Sequence, residues 1–329
     1  MIRWLLAGFG AAGRCHAAAI PRTPNAKLVG IVDRQRSYHP DDNVQTFTCI
    51  DRALEVSRPD AMIIATPHDT HREIALTALE ADVAVLCEKP VGRNSDDARA
   101  IAGMANRRGV PAGVILNQRA CLHPRWVHKL VHTGNHRWRL VNIWGNLGRL
   151  SGWHKDVDRS GGGLLRMVGI HYLDLLCWWF GQPVRISGVV DNAPTDDMFQ
   201  LLLQFRCGAA ATLSLSAVAS ASAGPVSIGL EAEDARIALT GHGIASVDGV
   251  EGYPPVEAMI PEFAFGPGHL TAIAEATLAL NNGGELPVPV DEVLPLLALV
   301  DTLYEAAQRN EPITLGHKAI NKIWAGARD

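Results

Sequence analysis

The stretch that decides the fold is IRWLLA at residues 2–7, followed directly by GFGAAG at residues 8–13. The apolar run predicts a buried strand, and the small residues that continue to Ile20 predict a helix. The second hexapeptide fits GxGxxG, which is a weak signal alone. Here it joins a strand to a helix at the start of a βαβ unit, which is the context that a dinucleotide-binding loop requires.

Each glycine of this loop has a predicted task. Gly8 permits the tight turn, Gly10 lets the backbone approach a pyrophosphate, and Gly13 allows close packing of the helix. The helix N-terminus supplies free N–H groups and a dipole that favours an anion. The cofactor-binding residues predicted here are Gly8, Phe9, Gly10, Ala11, Ala12 and Gly13.

An acidic residue follows the second predicted strand at the distance that the loop requires. Asp33 lies 20 residues after Gly13 and ends the strand Ala26–Val32. A carboxylate there accepts hydrogen bonds from the adenosine ribose, which favours NAD. Arg34 and Arg36 stand next to it and could receive a 2′-phosphate, so NADP is the alternative.

The pattern of the chain changes near residue 120. Up to that point short apolar runs alternate with helical stretches, which predicts a doubly wound parallel sheet over residues 1–120. Residues 121–329 open with helices and then turn to β-strands from Val184 to about Ile260, which predicts an α+β domain with an open antiparallel sheet. Two helices, His269–Leu280 and Val293–Asn310, are expected to end the chain.

Composition excludes several functions. The 329 residues are 47% hydrophobic and carry a net charge of −4, which suits a globular protein and argues against a nucleic-acid partner. We expect no membrane span and no signal peptide. Six scattered cysteines predict reduced thiols in a cytoplasmic protein. The histidines at 123, 128, 132 and 136 lack accompanying cysteines or carboxylates, so we predict no metal site.

Two further motifs follow predicted strands of the first domain. Ala65-Thr66-Pro67, with His71, follows one strand, and Glu88-Lys89-Pro90 ends the next. Loops at the carboxyl ends of parallel strands face the cofactor crevice. A lysine there can hydrogen-bond a substrate hydroxyl and favour loss of its proton. The alternative is a surface ion pair of Glu88 and Lys89, which would contribute little.

Together with Gly161-Gly162-Gly163 and the following Gly169, His171 and Asp174, these motifs resemble the glucose-fructose oxidoreductase / inositol dehydrogenase (Gfo/Idh/MocA) family. The resemblance covers nearly the whole chain. It implies hydride transfer between NAD(P) and a sugar, a sugar nucleotide or a cyclitol. It also implies that Thr66 and Pro67 flank the nicotinamide ribose, that Lys89 polarises the substrate hydroxyl, and that the Lys89–Pro90 bond is cis.

Residues 151–156, 158–163 and 169–174 are similar to the branch of this family that oxidises UDP-linked N-acetylhexosamine uronates at C3. The resemblance implies that the loop before the glycines helps to bind the substrate. Trp153 and His154 are therefore candidate substrate contacts, with a solvated loop as the alternative. Arg119 lies where the family places polar residues that face the cofactor or the substrate.

The apolar helix predicted over Leu164–Phe180 carries Met167, His171, Asp174 and Trp178 on one face. The resemblance implies that His171 accepts the substrate proton, and the unperturbed pKa of histidine, about 6.5, suits that role. Family members commonly have Asp or Asn at the position of Met167, and a thioether is at best a weak acceptor. Either Lys89 and His171 suffice, or a neighbour such as Arg166 contributes, or activity is lost.

We therefore expect an NAD(P)-dependent CH–OH dehydrogenase, with a catalytically silent NAD-bound sugar-binding scaffold or sensor as the alternative. Transient use of NAD in glycoside hydrolysis is a third hypothesis, which no residue favours. The apolar segments Leu201–Leu203 and Ala209–Leu215 lie in the open sheet and should find a partner sheet, so we expect a homodimer or homotetramer.

Overall fold

The computed structural model describes residues 1–34, 44–134, 136–191, 193–218, 224–241, 243–254, 268–309 and 313–326. These residues form two compact units. The first unit comprises residues 1–120 and the described part of 259–294, and the second comprises the described parts of 121–258 and 295–329.

The strands of the described residues are, in chain order, β1 (Ile2–Ala7), β2 (Ala26–Val32), β3 (Gln45–Phe47), β4 (Ala61–Ile64), β5 (Ala84–Glu88), β6 (Ala112–Ile115), β7 (Leu140–Asn146), β8 (Pro183–Val190), β9 (Met198–Phe205), β10 (Ala210–Ser216), β11 (Ser227–Glu231), β12 (Arg236–Thr240), β13 (Gly243–Asp248) and β14 (Ile313–Leu315). The α-helices are α1 (Ala11–Ala19), α2 (Ile50–Ser57), α3 (His71–Glu80), α4 (Ser95–Arg108), α5 (Asn117–Ala120), α6 (Leu122–Thr133), α7 (Val157–Ser160), α8 (Ile170–Phe180), α9 (Gly268–Asn281), α10 (Val290–Gln308) and α11 (His317–Gly326).

The first unit is built on a six-stranded sheet in the order β3-β2-β1-β4-β5-β6. Every neighbouring pair in it is parallel. Trp4, Leu5 and Leu6 of β1 are fully buried, because helices cover both faces of such a sheet and favour continuous apolar strands. The predicted doubly wound parallel sheet is confirmed.

Residues 268–294 pack with the first unit, although the sequence boundaries assign them to the second domain. Trp4 Nε1 donates to Thr277 Oγ1 of α9 at 3.1 Å. Ile273 and Ala276 join the apolar core against β1, and Val114 N donates to Val288 O at 2.8 Å. The apolar side of α9 is thus buried by β1, a contact between distant segments that local periodicity does not reveal.

The second unit contains an eight-stranded sheet in the order β13-β12-β11-β7-β10-β9-β8-β14. Its neighbours are antiparallel except for β7 and β10, which pair in parallel. The α+β class is confirmed, and the sheet is mixed because helices α7 and α8 separate β7 from the β8-β9-β10 meander.

One face of this sheet is exposed within its own unit. Along β9 exposed and buried residues alternate, so Leu201 and Leu203 are buried while Leu202 is 43% exposed. Trp144 of β7 is 61% exposed and Val189 of β8 is 53% exposed, and both belong to the exposed face of the sheet. In Ala209–Leu215 the apolar residues at 211, 213 and 215 are buried, and smaller or polar residues face outward.

The C-terminal end differs from the prediction. Two helices do not end the chain, because β14 pairs with β8 and α11 follows it. The three-residue strands β3 and β14 are too short to show a period of two.

Candidate functional site

The predicted cofactor-binding residues of the first unit lie at one edge of its sheet. Strands β2, β1, β4 and β5 are neighbours and run in parallel, so their carboxyl ends meet there. Asp33, the glycine loop and Ala65–Pro67 directly follow β2, β1 and β4, and Glu88–Pro90 begins with the last residue of β5.

The glycine loop has the shape that a pyrophosphate needs. Gly8 has φ +91°, and a Cβ at this position would lie 2.5 Å from the carbonyl oxygen of Ala65. The loop therefore touches the end of β4, which only glycine allows. A Cβ at Gly10 would meet nothing within 4 Å, and α1 begins there without a side-chain cap. An anion fits before this helix start.

Asp33 is bonded to the glycine loop itself. Its Oδ2 accepts a hydrogen bond from Phe9 N at 2.7 Å, which fixes the carboxylate beside the loop at the end of β2. Arg34 is exposed, and Arg36 lies outside the described residues.

His71 is buried and connects two of the predicted cofactor loops. Its Nε2 lies 2.8 Å from Thr66 O and its Nδ1 lies 3.0 Å from Pro90 O. Burial lowers the pKa of His71, against the two carbonyl oxygens, which raise it. The side chain thus ties the loop after β4 to the turn after β5, whose Lys89–Pro90 bond is cis, as the resemblance implies.

Glu88 is a buried carboxylate held by two histidines. His16 Nε2 of α1 lies 2.8 Å from Glu88 Oε1, and His269 Nε2 of α9 lies 3.4 Å from the same oxygen. Burial acts to raise the pKa of Glu88, but the hydrogen bonds from the two histidines outweigh it and hold the pKa well below its usual range. Within the described residues these three groups are close enough to share a cation, although the 2.8 Å contact is that of a hydrogen bond.

Lys89 is partly buried at the end of β5. Its backbone N–H donates to Glu88 Oε2 at 3.2 Å. Burial lowers the pKa of the Lys89 ammonium, while the negative charge of Glu88 raises it. An ammonium group at this position can donate hydrogen bonds to a substrate oxygen.

The other predicted substrate contacts have local partners. Arg119 forms an ion pair with Glu292 of α10, in the part of that helix that belongs to the first unit. In the second unit, the rings of Trp153 and His154 lie 4.1 Å apart, and His154 Nδ1 lies 2.9 Å from Ser151 O. Both rings are partly exposed.

The predicted helix over Leu164–Phe180 is not a uniform α-helix. Residues Leu165–Gly169 form a π-turn, and α8 continues from Ile170. Met167 lies in the π-turn and is buried, whereas His171 is partly exposed in the first turn of α8. π-turns inside helices occur frequently at functional sites.

Two of the three glycines before this helix are explained by residues that sequence reasoning did not single out. A Cβ at Gly162 would lie 2.7 Å from the Tyr304 hydroxyl, and a Cβ at Gly163 would lie 2.1 Å from Asp196 O. Asp196 Oδ2 accepts from Leu165 N at 2.7 Å, and Tyr304 donates to Asp196 Oδ1 at 2.7 Å. The carboxylate therefore caps the helix that carries His171.

Arg166 is buried in the same network. Its Nη2 lies 2.5 Å from Asp301 Oδ1, and its guanidinium carbon lies 5.3 Å from the centre of the Tyr304 ring. The side chain thus pairs with α10 inside the second unit.

Comparisons with known proteins agree with this arrangement. Residues 2–116 match the family described as "Oxidoreductase family, NAD-binding Rossmann fold", and residues 129–242 match the "GFO/IDH/MocA C-terminal domain". The chain is 25% identical to an inositol 2-dehydrogenase of Rhizobium meliloti, over 95% of this chain and 99% of that protein. It is 28% identical to a glucose-6-phosphate 3-dehydrogenase of Bacillus subtilis, over 53% of this chain and 52% of that protein.

Among solved structures, the WlbA dehydrogenase from Bordetella pertussis, in complex with NADH and UDP-GlcNAcA, has the same fold. It superposes with a TM-score of 0.80 at 20% identity, covering 96% of this chain and 98% of that chain.

The fold and the glycine loop define a dinucleotide-binding oxidoreductase. The chain belongs to the Gfo/Idh/MocA family of NAD-binding oxidoreductases. The two relatives described above are named as dehydrogenases, which favours an enzyme over a catalytically silent scaffold. Within the described ranges, the helices include none with the length and apolar character that crossing a bilayer requires.

Sequence reasoning missed His16, His269, Asp196 and Tyr304. His16 lies three residues after Gly13 on α1, so its closeness to the glycine loop could have marked it as a candidate. His269 and Tyr304 contact partners more than a hundred residues away in the sequence. Asp196 stands beside Asp197, and the sequence alone does not distinguish the two.

Asp196 gives a testable dependence of stability on pH. Burial raises its pKa from 3.8 to about 6, although hydrogen bonds from Tyr304, Leu165 and Gly163 oppose the shift. Because the folded protein then binds the Asp196 proton more tightly than the unfolded chain does, Asp196 contributes to stability below the pKa that it has in the unfolded chain. This contribution is lost as the pH rises through about 6. A difference of this size between the folded and unfolded pKa corresponds to a free energy on the order of 2–3 kcal/mol.

We therefore expect wild type to lose unfolding free energy relative to Asp196→Asn between pH 4.5 and 7.5, measured by urea denaturation. Asp197→Asn, at the exposed neighbouring carboxylate, should keep the wild-type pH dependence. If the free energies of unfolding of wild type and Asp196→Asn changed with pH in parallel, the raised pKa of Asp196 would be wrong.

Proposed function

We propose that this protein is an NAD-dependent dehydrogenase that oxidises a secondary hydroxyl of a sugar, a sugar nucleotide or a cyclitol. The observation that carries the proposal is the placement of Lys89, next to a buried carboxylate, on the sheet edge that also holds the glycine loop and Asp33. NAD fits this edge better than NADP, because Asp33 is fixed where the adenosine ribose would lie and would repel a 2′-phosphate.

In the proposed reaction the substrate CH–OH loses a hydride and a proton and becomes a ketone. NAD, when bound, supplies the hydride acceptor. Lys89 donates a hydrogen bond to the reacting hydroxyl, which stabilises the oxygen as its proton leaves. His171 accepts that proton, and its partly exposed ring can pass it to water. Thr66 and Pro67 would border the nicotinamide ribose.

We place cofactor binding in the first unit, and substrate binding and oligomer contacts in the second. Trp153 and His154 offer ring faces on which a sugar can stack. Met167 contributes apolar contact alone. The names of the relatives, which include an inositol dehydrogenase and a sugar-phosphate dehydrogenase, support a carbohydrate-like substrate. The six cysteines are free, which supports a cytoplasmic location.

The proposed function is tested by following NADH absorbance with purified protein, NAD, and a panel of polyols, free sugars and UDP-sugar uronates. Turnover with one class supports the proposal and identifies the substrate. If no compound of the panel gives NADH while calorimetry shows NAD binding in the same sample, the result counts against the proposal and favours the scaffold hypothesis.

Lys89→Met should lower kcat on the best substrate by about 10²-fold or more, which is the usual contribution of a positioned proton donor. The NAD dissociation constant should stay near the wild-type value. Lys27→Met removes an exposed lysine from β2 of the same unit and serves as the matched control. A Lys89→Met enzyme with wild-type kcat would refute the role of Lys89.

We also propose that the exposed face of the second sheet pairs with a second copy. Trp144, Val189 and Leu202 expose apolar surface there, and burying it removes that surface from water. Light scattering should give the mass of a dimer or tetramer, and Trp144→Lys should shift the equilibrium toward monomer. A monomeric wild-type protein at micromolar concentration would overturn this.

A further inference from the structure

Three distant segments of the first unit meet at one carboxylate. His16 comes from α1 and His269 from α9, and both ring nitrogens face Glu88 Oε1 at 2.8 and 3.4 Å. Both histidines are at most 3% exposed, and Glu88 is 8% exposed. The other carboxylate oxygen accepts the backbone N–H of Lys89 at 3.2 Å.

The hydrogen bonds define how the cluster is protonated. His16 Nε2 faces the carboxylate, and its Nδ1 is buried with no hydrogen-bond partner in the described part of the chain. A proton on that Nδ1 would be a buried donor without an acceptor, which is costly. Burial also lowers the pKa of His16. The neutral ring therefore donates from Nε2, and Glu88 carries the negative charge of the pair.

That negative charge reaches Lys89. Burial favours the neutral amine, and Glu88 opposes it by stabilising the ammonium. His71 and Cys87, which pack on the same turn, also respond to Glu88. A buried carboxylate stays ionised only when donors satisfy it. The ionisation of Glu88, and with it the charge on Lys89, thus depends on the two histidine donors.

We propose that His16 and His269 are positioning residues that keep Glu88 ionised, so that Lys89 retains its proton for the substrate hydroxyl. The inference rests on the proposed function where it is tested by enzyme activity. The effect of the Glu88 charge on the protonation of Lys89 can be measured without turnover.

The first experiment measures the pKa of Lys89 from the pH dependence of its acetylation by acetic anhydride, read by mass spectrometry and normalised to exposed Lys27. Glu88→Gln keeps the shape of the side chain and removes its charge. The apparent pKa of Lys89 should fall by about one unit. An unchanged value would overturn the inference even if the enzyme turns over normally, and a fall supports it even if no substrate is found.

The second experiment compares His269→Gln with His269→Leu. Glutamine retains an N–H donor at this position, whereas leucine has none, so Glu88 in the leucine variant takes up a proton more readily. The limb of the kcat/KM pH profile that reports Lys89 should move to lower pH in His269→Leu and stay in place in His269→Gln. The NAD dissociation constant should change little in either variant.

His123→Leu is the matched control, because His123 is a buried histidine of the second unit whose two ring nitrogens have no hydrogen-bond partner among the described residues. It should leave the pH profile unchanged. If His269→Leu and His269→Gln fold and share one profile, the positioning role is wrong. If His269→Leu fails to fold, the labelling experiment on Glu88→Gln still decides the charge relation.

Discussion

The structure of the first unit depends on satisfying one buried carboxylate. Ionised Glu88 at the end of β5 would be costly in an apolar interior without donors. The chain supplies them from α1, from α9 and from the backbone of Lys89. The requirement gives α9 a polar anchor in addition to its apolar contact with β1, which accounts for the return of residues 268–294 to a unit that otherwise ends at residue 120.

The second unit solves a similar problem around Asp196. Its carboxylate accepts backbone N–H groups at the start of the helix that carries His171, together with the Tyr304 hydroxyl. The close approach of Asp196 and Tyr304 leaves no room for a Cβ at Gly162 or Gly163. Gly162 and Gly163 are thus a consequence of packing at the cap of this helix.

The elements that could be predicted are those whose signals are local. The boundaries of β1 and β2 follow directly from their apolar runs. The glycine loop and the strand-end motifs locate the sheet edge. His269, Tyr304 and the parallel pairing of β7 with β10 depend on tertiary contacts, which leave no periodic trace. The π-turn around Met167 was not predicted, because the pattern of its residues also fits an apolar α-helix.

Met167 makes the charge on Lys89 more important to the proposed reaction. A thioether cannot hold a hydroxyl firmly, so His171 is the polar group of this helix on which the proposed reaction relies. The proposal therefore relies on Lys89 to orient the substrate oxygen; its ammonium has three N–H donors, but burial favours the neutral amine. Glu88 counteracts that tendency. A buried acid that the reaction never touches would therefore compensate for the absence of a carboxylate or amide at position 167.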